Sequence, residues 1–400
     1  MWTGTSSIRS NLFSARSRFA CVAVVTAAAV AGCGDDGPGI VNTDAIAAGR
    51  EIFRHDTFGD ERLWTDELRM HEVIAQAVDP MTALSVGLKV DADALPPGIL
   101  AEVDLEDPAT TVALLELGAV VGLEGEVEDG PEGKRLVSVG VTCALCHSTV
   151  DDSVIPGVGR RLDGWANRDL DPGLILSLSP AMQEPDLQRI LLSWGPGKYD
   201  AYFNLDGLSD PTVIPPAYGL GDVPVETFTG EGPVSYWNAY VAVTQMGGQG
   251  TFRDPRLGID IEADPDLVTP KLESLRAYQL SLQSPVPPQE SFDAMAAQRG
   301  RAIFEGKGGC SSCHEGASFT DADARLHDPD EVGTDPVLAK RSTTKKYRTT
   351  PLRGAWQHPP YFHDGSAATL AGVVDHYDRH FELALTEDEK HDLVQYLKAL

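Results

Sequence analysis

Basic residues are in short supply in this 400-residue chain, with 32 lysines and arginines against 60 aspartates and glutamates and a formal net charge of −28. That balance argues against nucleic acid as a partner, because phosphate binding needs clustered cations. It suits steering toward a basic protein, and equally suits acid that serves only solubility. Long apolar runs are also lacking: Phe19 to Gly32 is apolar for about fourteen residues, short of the roughly 20 that span a bilayer. Methionine is scarce, and none of the six (Met1, Met70, Met81, Met182, Met246, Met295) lies beyond position 295. No histidine occurs between His147 and His314. With 42% apolar residues and moderate charge, the chain is nevertheless globular and long enough for two or three domains.

What is present begins with Arg9, Arg16 and Arg18, no acid, and then the short apolar run, which together read as a secretory signal over residues 1–32. The run ends Val30-Ala31-Gly32-Cys33, similar to the lipobox of bacterial lipoproteins. This implies a lipid anchor at Cys33, a Gly- and Pro-containing tether over 33–42, and residence in the periplasm or outer cell envelope. The alternative is an ordinary cleavage site followed by a cysteine.

Two stretches then share one spacing: Cys143-Ala144-Leu145-Cys146-His147 and Cys310-Ser311-Ser312-Cys313-His314. C-x-x-C-H is the attachment signature of a c-type haem. Two thiols one short turn apart add across the porphyrin vinyl groups, and the following imidazole is placed to ligate the iron. A redox C-x-x-C pair or half of a zinc site is the rival reading. The cysteine count fits two covalent haems: Cys21 leaves with the signal, Cys33 takes lipid and four thiols hold haem, leaving none for a disulfide.

Gly49-Arg50-Glu51-Ile52-Phe53 recurs as Gly300-Arg301-Ala302-Ile303-Phe304. Cys310 follows Phe304 by six residues, whereas Cys143 follows Phe53 by ninety, so about 84 residues are inserted in the first copy, near 56–140. Within that insertion, Thr65 or Asp66 is expected to cap a helix running to about Ala77, with Leu68, His71, Ala75 and Val78 on one face. Thr110 to Val120 is a second expected helix, and Gly122 to Val139 alternates around Asp129-Gly130-Pro131-Glu132-Gly133 as a β-hairpin. Leu272 to Ser281 reads as helix, and three prolines within Gln283 to Glu290 mark a boundary. The expected fold is mostly α: a haem domain over 43–285 elaborated by the insertion and its hairpin, and a second cytochrome c-like haem domain over 286–400. Thr386 should cap the closing helix, with Leu393, Val394 and Leu397 on its apolar side.

Tyr347-Arg348-Thr349-Thr350-Pro351-Leu352-Arg353, Pro360-Tyr361-Phe362-His363-Asp364-Gly365-Ser366, Thr369-Leu370 and His376-Tyr377 resemble the C-terminal half of bacterial di-haem cytochrome c peroxidases and MauG. MauG is the di-haem enzyme that matures a tryptophan-derived cofactor. The resemblance covers residues from about 270 to the end; before that it rests on the first haem motif and the two-domain order. It implies that the residue fourteen beyond His363, here Tyr377, ligates the second iron where many members have methionine, as in MauG-like proteins. The absence of methionine beyond 295 independently excludes the usual His/Met pair there; His376, His380 and an open iron are the alternatives to Tyr377. An anionic tyrosinate should lower the potential, which methionine would raise.

The same resemblance implies a second-sphere role for His363 and an electron-relay role for Trp237, against a packed core tryptophan. A calcium ion between the domains is common in the family, but no ligand set is legible here. The chain departs from the family in having no distal histidine after the first motif, so His71, or less readily Met182 or Met246, could serve, or the iron is open. The family's catalytic glutamate has no match, Gln245 and Gln249 occupying its region. Arg160, Arg161 and Arg168 could meet haem propionates or form a solvated loop. The expectation is an oxidoreductase transferring electrons between haems, coupled to peroxide reduction or oxidation of an unknown substrate at the first haem. Its redox partner would be a small basic cytochrome or cupredoxin. An electron-transfer protein without turnover and a haem oxygenase are the competing readings.

Overall fold

The repeated Gly-Arg-x-Ile-Phe segments fold as two helices on which the chain is built. In the computed structural model, residues 42–99, 102–131 and 133–400 are described; the signal, Cys33 and most of the tether lie outside them. The elements that position the site are, in chain order, α1 (Thr43–His55), α2 (Met70–Ala77), α3 (Pro108–Glu116), β1 (Leu123–Gly130), β2 (Gly133–Val141), α4 (Ala144–His147), α5 (Val234–Thr244), α6 (Leu272–Ser281), α7 (Ala294–Glu305), α8 (Pro329–Val332), α9 (Leu370–His380) and α10 (Glu387–Lys398). Strand is confined, among the described residues, to five two-stranded sheets, so the fold is mostly helical. None of the described helices is long and apolar enough to cross a membrane.

Both repeats make the same crossing. At Gly49 on α1 a Cβ would lie 1.9 Å from the Ser274 carbonyl oxygen of α6, and at Gly300 on α7 it would lie 2.0 Å from that of Asp392 on α10. Only glycine lets the backbones approach this closely. One turn later Phe53 and Phe304 are buried, each meeting an aromatic of the partner helix edge-on: Phe53 with Tyr278 at 5.5 Å, Phe304 with Tyr396 at 5.2 Å. Burying each ring contributes roughly 2–3 kcal/mol. A larger apolar core surrounds Phe53 and a smaller one surrounds Phe304, Leu393 and Leu397. At the second crossing Arg299 grips Asp392 with two hydrogen bonds of 2.7 Å. Thr386 and Glu389 close α10 with a reciprocal capping box.

The segment between α1 and the first C-x-x-C-H motif builds part of the larger core. β1 and β2 pair antiparallel with a bulge after Glu126, and the inward Leu136, Val139 and Val141 are buried. Pro108 and the Asp107 carboxylate start α3 two residues earlier than expected. The helix expected from Thr65 or Asp66 to Ala77 is not continuous: a π-helical turn covers Arg62–Glu67, Arg69 is left-handed at φ 55°, and α2 begins only at Met70. A tertiary contact accounts for the break. The Thr65 hydroxyl donates to the Val139 carbonyl and accepts from the Val139 N–H, both at 2.9 Å, so it serves the hairpin and caps nothing.

Gly300→Ala should force α7 and α10 apart and lower stability by roughly 3 kcal/mol. Thermal unfolding followed by far-ultraviolet circular dichroism checks this; a melting temperature like that of wild type would show that the crossing relaxes without cost.

Candidate haem sites

The second motif grows directly out of α7. Gly308 N–H returns to Ile303 O at 2.8 Å, Gly309 turns in the left-handed region, and Cys310–Ser312 form a 3-10 turn. The His314 N–H then closes on Cys310 O at 2.9 Å, which sets the two thiols and the imidazole on one side of the loop. The His314 Nδ1 lies 3.1 Å from Phe319 O. A carbonyl only accepts, so Nδ1 carries the proton and Nε2 keeps its lone pair for a metal. Burial also lowers the imidazole pKa, which favours the neutral ligand form, although the Phe319 carbonyl opposes the shift.

Cys310, Cys313 and His314 open onto a cavity of about 500 Å³, within the range of cofactor pockets. Phe304, Leu370, Val374 and Leu393 line it with apolar surface, and Arg348 reaches it from the side. Arg348 is deeply desolvated, its pKa drawn down to about 10 by burial against the pull of Glu226, and its Nε has no partner. Its Nη1 donates to Val225 O, and a buried cation with an open Nε at an apolar cavity suits a ligand that is hydrophobic in bulk and anionic at one edge. Two thiols, a free Nε2 and such a cradle fit haem.

Four tyrosines line the cavity. Tyr218, Tyr347 and Tyr361 donate their hydroxyls to the carbonyls of Gly354, Asp335 and Ala355. Tyr377, on α9, is different: among the described residues none hydrogen-bonds its hydroxyl, so the core tyrosine with a backbone partner is not what the fold presents. Burial, then the neighbouring Cys313 and Cys310, push this phenol up to about 12, a cost that only a nearby cation or metal would reverse. His376 and His380 do not line the cavity; each directs Nε2 to a carbonyl, of Val332 at 3.1 Å and of Glu331 at 3.0 Å. His363 does line it, but its Nε2 is engaged by the Tyr347 hydroxyl at 3.0 Å with the rings stacked at 4.5 Å.

The first motif repeats the imidazole geometry. His147 Nδ1 lies 3.0 Å from Pro215 O, again leaving Nε2 for a metal, and burial lowers its pKa. Thr142 ties the loop to Arg54 O of α1, and the Gly164 and Asn167 N–H groups close on the carbonyls of His147 and Cys146 at 2.8 Å. Burial pushes the Cys143 and Cys146 thiols up to about 12 and Cys310 up to about 11. A redox C-x-x-C pair needs the opposite shift. Cys143, Cys146 and His147 are not among the residues lining the 500 Å³ cavity. His71 stands on α2 with a buried, unpartnered Nδ1; Met182 packs on the larger core and Met246 is buried in it.

Trp237, on α5, packs edge-on against Tyr202, Tyr236 and Tyr240 at 5.4–5.9 Å and donates to Glu231 O. It does not line the cavity. A different aromatic pair packs beside the cavity. Trp165, just after the loop clamped on His147, meets Trp356 edge-on at 6.0 Å and Tyr218 at 6.5 Å, and Ala355, Tyr218 and His358 beside them line the cavity. Arg168 of the same loop lines the cavity and donates to Pro359 O at 3.1 Å. The sequence signal for Trp165 was its place beside the first motif; nothing in the sequence paired it with Trp356.

Three curated proteins share stretches with this chain. The methylamine utilization protein MauG of Methylorubrum extorquens is 34% identical over 127 residues, covering 28% of this chain and 36% of that protein. The cytochrome-c peroxidase IdrP1 of Denitromonas iodatirespirans is 29% identical over 34% of this chain and 51% of its own. The matched stretches are thus similar to a MauG protein and to a cytochrome-c peroxidase. The hydrazine synthase subunit gamma of Kuenenia stuttgartiensis, 30% identical over 32% of this chain and 49% of its own, is a further relative. The chain thus spans between about a third and a half of the length of these relatives. No family model matches.

Beneath the second motif, buried Asp321 accepts from Thr349 Oγ1 at 2.5 Å, His327 Nε2 at 3.0 Å and Arg325 Nε at 3.1 Å, while Arg325 also reaches Cys313 Sγ at 3.6 Å. Burial alone would raise this carboxyl; the bonds from Thr349, Arg325 and His327 outweigh it and hold it below the usual range. Cys313, Asp321 and His327 have metal-ligand proximity, but a sulfur and a nitrogen donor do not suit calcium. Asp321→Ala should strand His327 and Thr349 and cost roughly 3 kcal/mol. Urea denaturation of the haem-loaded protein measures it, and a loss under 1 kcal/mol would show that water replaces the carboxylate.

Proposed function

We propose that this protein is an exported di-haem c-type cytochrome, with haems on Cys143, Cys146 and His147 and on Cys310, Cys313 and His314, that works as an oxidoreductase. The observation that carries the reading is the convergence of two thiols, a free imidazole Nε2 and an unpartnered Tyr377 hydroxyl on one apolar cavity of about 500 Å³. The names of the relatives, a cytochrome-c peroxidase and MauG among them, support redox chemistry with peroxide. Bound haem supplies a one-electron couple and, where an axial position is open, a place for peroxide reduction.

The chain's own residues supply the rest. His147 and His314 are held in the ligand tautomer by backbone carbonyls. Tyr377 would close the second site as an oxygen donor, which would favour ferric iron there. Arg348 orients the anionic edge of the cofactor. Trp237 keeps the relay role that the resemblance implies, and the edge contact of Trp165 with Trp356 offers a second aromatic route beside the cavity. Haem held by Cys143, Cys146 and His147 would supply the chemistry of peroxide reduction or substrate oxidation, and the acidic surface would steer a basic carrier such as a small cytochrome or cupredoxin toward it. A signal over 1–32 and lipid on Cys33 would place this chemistry in the periplasm, anchored to a membrane.

Tyr377→Phe should alter the ferric optical and magnetic signature of the second haem and raise its potential; an unchanged spectrum rules the ligand out. Carbon monoxide should bind the reduced protein at the first haem and shift its visible spectrum. If no shift occurs, both irons are closed and the protein transfers electrons without turnover; if it does, peroxide and dioxygen assays separate peroxidase from oxygenase.

A further inference from the structure

We infer that His376 and His380 form a positioning clamp that docks α9 on α8 and so aims Tyr377 into the cavity. The inference rests on the reading of Tyr377 as the second axial ligand. Each imidazole faces a backbone carbonyl, His376 Nε2 at 3.1 Å from Val332 O and His380 Nε2 at 3.0 Å from Glu331 O. Because a carbonyl can only accept, both rings carry their proton on Nε2 and donate it. That tautomer commits the nitrogen to α8 and removes it as an iron ligand.

The two acceptors are consecutive carbonyls, and the two donors are one helical turn apart, an i,i+4 pair on one face. The rings lie 6.0 Å apart and nearly parallel, at 10°. A helix held by one such bond can still rotate about it; two bonds along its length fix rotation and register together. Tyr377, next to His376 and about 100° round the helix, then has one direction in which to point.

The seat for the rings is built on the α8 side as well. Gly333 ends α8 at φ 70°, and a Cβ there would come 2.6 Å from His380 Nδ1, so glycine is needed both for the turn and for the ring. Phe362 wedges against the other side, 4.8 Å from His376 and 5.9 Å from Tyr377 between ring centres. α8 is in turn tied to the haem-attachment loop: Arg325 reaches Glu331 at 3.1 Å while also holding Asp321 and Cys313. The clamp therefore connects the side of the cavity that carries His314 to the side that carries Tyr377.

The test uses the full haem-loaded protein. His376→Phe with His380→Phe keeps the ring volume and removes both donors, whereas His376→Gln with His380→Gln keeps an amide N–H near each Nε2. The Phe pair should speed amide exchange through residues 373–381 by roughly tenfold, the loss of two modest hydrogen bonds. It should also move the ferric optical and magnetic signature of the second haem toward that of Tyr377→Phe, and the Gln pair should restore both. Wild-type exchange and spectrum in the Phe pair, or no rescue by Gln, overturns the clamp. If Tyr377→Phe leaves the spectrum unchanged, the ligand reading fails instead, and exchange alone decides whether the pair holds α9. Should the double Phe protein not fold, exposed His380→Phe by itself gives the same two readouts, and wild-type values for both would again overturn the clamp.

Discussion

The close approach of two helix pairs at Gly49 and Gly300 is the constraint on which the rest depends. With less than 4 Å of room for any added atom, each crossing fixes the angle at which α1 and α7 leave it. That angle aims Phe53 and Phe304 inward and delivers the chain to a C-x-x-C-H loop, at once in the second copy and after the insertion in the first. The loops then need only short-range bonds to present their imidazoles. Both use the same device, Nδ1 spent on a backbone carbonyl, so the tautomer at each site is set by main chain and is insensitive to surface substitution.

Electrostatics around the second cavity divides by depth. The acidic excess is carried at the surface, where charge is screened and steers encounter. Inside, the cation Arg348 keeps an unpartnered Nε, and the anion below the loop, Asp321, is bonded on three sides. A ligand with an anionic edge would thus meet a positive partner, while the carboxylate nearest the attachment loop has its charge distributed over hydrogen bonds.

How much of this was legible in the sequence varies by what each feature depends on. The haem motifs are legible as local patterns; so are the repeat, the hairpin, the bounds of α6 and the cap at Thr386, which the structure reproduces. The break at Arg69 was not legible, because it answers to a contact between Thr65 and Val139, seventy-four residues away. For the same reason Trp165 and Trp356 could not be paired, and Trp237 stood out only through a resemblance. At α9 the resemblance singled out Tyr377 and left His376 and His380 as rivals; that the two imidazoles face carbonyls of α8 while Tyr377 lines the cavity is a tertiary fact no local pattern carries.

The unequal spacing of the two repeats bears on how the chain folds. α1 meets its partner helix more than two hundred positions downstream, at Ser274, whereas α7 meets α10 fewer than one hundred positions on, at Asp392. Closing the longer loop costs about 0.8 kcal/mol more by chain entropy alone, and contacts of high sequence separation form late. As the chain is synthesised or exported, α1 must therefore wait, its apolar face unpartnered, until residue 274 has emerged. α7 waits over a shorter span, from 300 to 392, but because residue 274 emerges before either of these the N-terminal crossing is free to close first.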